Sequence, residues 1–79
     1  MVEYFHHAYH STLIHDRLVE MGQYVDITLI ADAIQQGLEH HADKFGHANI
    51  DQPRTWWEVE AHALEILEIN EEDYRGGNA

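Results

Sequence analysis

Histidine is the residue whose number and spacing most invite chemistry in this chain. Eight imidazoles stand in 79 positions, beside fifteen acidic side chains and four basic ones, for a net charge of −11 with the imidazoles neutral. Free imidazole takes up a proton below about pH 6.5, so much of that negative charge is offset in mild acid. His6 and His10 are four apart, the spacing at which two helical side chains reach the same ion. With a carboxylate such as Glu3, or with a second chain, they form a candidate nitrogen-and-oxygen site for Zn²⁺, Ni²⁺ or Cu²⁺. His40, His41, Asp43 and His47 make a second group, but His40 and His41 leave a helix on different sides and cannot share an ion from one turn. A metal-binding or pH-sensing reading therefore rests on His6, His10, His40 and His47. Against it stands a simpler one: His41 faces the core and donates to a neighbouring carbonyl, while His40 and His47 sit favourably near the negative end of a helix. There is no HExxH, and Glu3-Tyr4-Phe5-His6 is a single ExxH with no second copy to build a di-iron bundle.

Ser11, His15 and Asp16 supply the residue types of a hydrolytic triad. On one short helix, however, they lack a strained nucleophile turn, an oxyanion hole and a cleft. No glycine-rich phosphate loop or cofactor fingerprint occurs, and the absence of cysteine removes disulfides, thiolate metal sites and a cysteine nucleophile together. The sequence predicts a non-catalytic protein with no cofactor.

The carboxylates form a more coherent pattern. Asp32, Glu39 and Asp43 recur along the outside of one amphipathic segment, and Glu58, Glu65, Glu68 and Glu72 along another. Carboxylates one helical turn apart lie about 5 to 6 Å from each other, close to the spacing of phosphates along a nucleic-acid strand. A surface of that kind repels nucleic acid, whose binding needs Lys and Arg to displace counterions, and attracts the basic groove of a nucleic-acid-handling protein. In size and charge the chain resembles the broad class of small acidic inhibitors carried by phages and plasmids, although no motif ties it to a family. The resemblance implies masking of a basic protein surface, with Trp57 or Tyr74 as an aromatic anchor among the acids.

Three segments must position these residues. Ile27, Ile30, Ala31, Ile34, Leu38, His41 and Phe45 recur at helical spacing, with Asp26 as N-cap, Val25 as a hydrophobic staple on Ile30, and Gly46 as a left-handed stop. A rival strand over Tyr24 to Ile30 is disfavoured because the helical pattern crosses that boundary unbroken. Gly37, one turn after Ala33, makes a small-residue seam that lets another helix approach. Thr55-Trp56-Trp57-Glu58 reads as a capping box, opening a helix with one tryptophan in the core and the other at its edge. The first segment spreads its apolar residues widely, from Tyr4 and Phe5 through Ile14 and Leu18 to Met21. The expectation is a single all-α domain, a bundle of three amphipathic helices at about 3–21, 26–45 and 55–70, with 74–79 a flexible tail.

So short a chain buries only a little over ~60% of its unfolded surface, and the wide apolar arcs predict a homodimer or, as an alternative, an accessory subunit covered by an obligate partner. No apolar run approaches a membrane span, and Met1-Val2-Glu3-Tyr4 lacks the basic and apolar regions of a secretory signal, which predicts a cytoplasmic location.

Overall fold

Three chain reversals set the architecture, and each has a local chemical cause. The computed structural model of the chain describes residues 2–76, with side chains from residue 8 onward. Four helices follow one another: α1 (Val2–Glu20), α2 (Ile27–Phe45), α3 (Pro53–Ile66) and the short α4 (Glu71–Gly76), and no strand occurs among the described residues. The expected helical bundle is what forms. No helix among the described residues is long and apolar enough to cross a membrane.

α1 stops at Gly22, whose φ of 80° permits a left-handed turn in which the Gly22 amide donates to the Val19 carbonyl and the Gln23 amide to that of Leu18. Asp26 then caps α2, accepting from the Thr28 amide at 2.9 Å and from the Thr28 hydroxyl. Those two donors, the hydroxyl foremost, hold the Asp26 carboxyl below the ordinary carboxylate range. Gly46, at φ 89°, ends α2 by donating to the Ala42 carbonyl at 2.7 Å.

α3 departs from expectation at both ends. It begins at Pro53, not Thr55, because proline carries the helical φ and has no amide to leave unsatisfied in a first turn. Thr55 is thereby drawn inside the helix and buried, and the Thr55–Glu58 capping box does not form. The helix ends at Ile66, four residues short of the expected position. Glu68 takes the left-handed conformation at φ 61°, the Glu68 amide donates to Glu65 and the Ile69 amide to Leu64, and buried Ile69 and Leu64 both join the core. The released chain is caught at once: Asn70 Oδ1 accepts from the Glu72 amide at 2.8 Å and caps α4, whose first turn is acidic as the helix dipole favours. The expected tail is therefore helical through Gly76, while residues 77–79 lie outside the described part.

α2 packs against both α1 and α3, and α4 against α3. Ile14 and Leu18 of α1, Ile30, Ala33 and Ile34 of α2, and Val59, Ala63 and Leu64 of α3 form the core with Ile69 and Tyr74. Val25, Leu38 and Trp56 pack at its edge.

Candidate functional site

The closest approach between α2 and α3 falls at the predicted small-residue seam. A Cβ on Gly37 would stand 3.1 Å from the Val59 carbonyl oxygen and 3.2 Å from its Cγ1, so only glycine fits without displacement. Beside that seam lies a groove of about 600 Å³, lined by His40, His41, Lys44 and Phe45 from α2, by Trp57, Glu58, His62 and Glu65 from α3, and by Glu71 from α4.

Two imidazole contacts bridge the helices along it. His41 Nδ1 lies 3.1 Å from Glu58 Oε1, and the His40 and His62 rings stack with centroids 4.8 Å apart and planes 13° from parallel. His41 thus turns inward as expected, but its partner is a carboxylate of α3 in place of a neighbouring carbonyl. Phe45 and Trp57 are 54% and 58% exposed. Each carries one of the chain's own cations: Lys44 Nζ stands 5.7 Å from the Phe45 ring centre, and the Arg75 guanidinium 3.5 Å from that of Trp57.

Arg75 holds this end of the molecule together. It donates to Glu71 at 2.6 Å, to Glu60 at 2.8 Å and to the Trp57 carbonyl at 3.0 Å. The Glu60 side chain is only 10% exposed, so this pair satisfies a carboxylate largely removed from water. Arg17 secures the other side of α4, donating from Nε to the Tyr74 carbonyl at 2.9 Å. Between the two arginines Tyr74 is buried, and that burial, reinforced by the adjoining Glu60 carboxylate, pushes its phenol well above the usual range.

The predicted acidic residues divide among several surfaces. Asp32, Glu39, Asp43, Glu58, Glu65, Glu68 and Glu72 are all exposed. Glu58 and Glu65 line the groove, Glu68 sits in the turn before α4, and Glu72 lies in the first turn of α4. Tyr74, expected as an anchor for a partner, is instead a core residue at 8% exposure, and that assignment is corrected. Trp57 keeps the exposed position foreseen for it.

The predicted metal set is not drawn together. The side chain of His6 lies outside the described residues. His10 is buried with its ring 4.4 Å from that of Trp56, His40 stacks on His62, and His47 is exposed just beyond Gly46. Among the described residues no group of three or more histidines and carboxylates is placed to hold a metal ion. Nor are the triad residue types connected: Ser11 Oγ is buried with no hydrogen-bond partner among the described residues, while His15 lies 3.8 Å from Asp16.

Sequence reasoning missed Arg75, Glu60 and the His40–His62 contact. Arg75 carried a signal, because Glu71 stands four residues before it and Asn70-Glu71-Glu72-Asp73 has the composition of a helix start. Comparison with known proteins gives no match: no family model, curated protein or solved structure is similar to this chain.

Proposed function

We propose that the chain is a non-catalytic interaction module whose acidic face masks a basic surface of a nucleic-acid-handling protein. One observation carries this reading. Of only four Lys and Arg side chains, Arg17 and Arg75 are engaged in holding α4, which leaves Lys44 and Arg54 against seven exposed carboxylates spread over α2, α3, the turn after it and α4. The outward field is therefore more one-sided than composition alone implies, and such a field draws a basic partner in quickly and weakens with salt. Direct nucleic-acid binding runs against the same field. Two copies pair, in this reading, through α1, where Tyr9 and Leu13 stand one turn apart and exposed.

The test is capture of binding proteins from lysate by the purified chain at low and at raised salt, with a parallel arm containing chelator. Recovery of a basic nucleic-acid-binding protein that is lost at raised salt and indifferent to chelator supports the reading. Partners that persist at raised salt, or that depend on metal, refute it.

A further inference from the structure

The groove between α2 and α3 has features that a generally acidic face does not require. We infer that it is the seat for an arginine side chain of the basic partner, an assignment that rests on the acidic-face reading and gives it a location.

The chain itself demonstrates the chemistry. Arg75 lies 3.5 Å from the Trp57 ring centre while donating to two carboxylates and to the Trp57 carbonyl. With that guanidinium in place, 58% of Trp57 still faces solvent, on the residue that forms one wall of the groove. The remaining walls repeat the same elements. His40 and His62 stack on each other, which leaves the outer ring faces for a ligand, and a planar guanidinium stacks on a flat π surface where a lysine ammonium does not. Glu65 lines the groove one turn beyond His62, and its side chain makes no hydrogen bond or ion pair with any described residue, so its carboxylate is open for bidentate pairing. Glu71 is already paired with Arg75, so Glu58 and Glu65 stand against Lys44 as the one cation of the lining, which leaves a net negative seat when the imidazoles are neutral. The volume of about 600 Å³ suits one long side chain and its neighbours and falls within the ordinary range of ligand pockets.

The experiment measures binding of nona-arginine and nona-lysine peptides by fluorescence anisotropy to the wild-type chain and to three variants, each of which removes one carboxylate charge. Glu65→Gln acts inside the groove, and Asp32→Asn and Glu72→Gln outside it. The arginine peptide is expected to bind more tightly than the lysine peptide, with Glu65→Gln costing about fivefold and erasing most of the preference. The two outer variants cost less than about twofold, as screened surface charges do. If both peptides bind alike and the three variants weaken them equally, the groove assignment falls while the acidic-face reading stands. If neither peptide binds at low salt, both fall together.

Discussion

Replacing Arg75 by alanine removes three hydrogen bonds and the cover over Trp57 in one step. The contacts are unequal. Glu71 is nearly half exposed, so its pair with Arg75 contributes no more than about 1 kcal/mol. Glu60 is different, because its side chain is 10% exposed and would be left as a largely buried carboxylate without a cation. Breaking such a pair from one side costs about 3 to 5 kcal/mol, and the low end applies because the Glu60 side chain keeps 10% of its surface in contact with water. The expected loss is about 3 kcal/mol, which lowers Tm by on the order of 15 °C in a domain of this size. Thermal and urea unfolding of Arg75→Ala, Glu60→Gln and the double variant closes the cycle. The double variant should recover about 2 kcal/mol of the summed single losses, because a neutral amide needs no cation. Strict additivity within about 0.5 kcal/mol, or a loss below about 1 kcal/mol for Arg75→Ala, would refute the claim that this pair secures α4.

Three further substitutions test the local accounts. Glu68→Gly should stabilise the protein by about 0.5 to 1 kcal/mol, since it relieves a left-handed non-glycine residue, whereas Glu68→Gln, which removes only the charge, should give no such gain in urea unfolding. Tyr74→Phe should flatten the alkaline limb of stability: the folded phenol binds its proton more tightly than the unfolded one, so its contribution is complete below pH 10 and is lost as pH rises toward the elevated folded value. An unchanged alkaline limb would show that Tyr74 does not carry it. Gly37→Val should lower stability by about 2 kcal/mol or more, through overpacking against the Val59 carbonyl, and a neutral result in the same melts would contradict the close approach of α2 and α3.

The parts of the fold legible in the sequence are those where one residue type has one dominant local use. Asp26 and Gly46 bracket α2 as read, and Gly37 marks the helix contact, because an N-cap acceptor, a left-handed stop and a missing Cβ act without reference to the rest of the chain. The end of α3 was hidden because Glu68, not glycine, occupies the left-handed position. Its start was ambiguous because Pro53 and Thr55 both signal a first turn, and the ring constraint of proline prevailed. α4 is too short to show a helical period, so Tyr74 read as tail when it completes the core. Of the candidate site, the exposure of Trp57 and of the carboxylates was legible from a helical wheel. The stacking of His40 on His62 was not, because it depends on how α2 and α3 are set against each other, which no single wheel contains.

On the proposed reading, an acidic surface displaces nucleic acid from a basic partner. That displacement is tested most directly by isolating the basic protein that the chain captures at low salt and measuring, across a salt series, whether the chain competes duplex DNA away from it. The comparison protein carries Glu39→Lys, Glu65→Lys and Glu72→Lys together. Displacement by the wild-type chain is expected, fading as salt rises and abolished by the reversed charges. Displacement that survives both, or a captured partner whose DNA binding the chain leaves untouched, would contradict the reading.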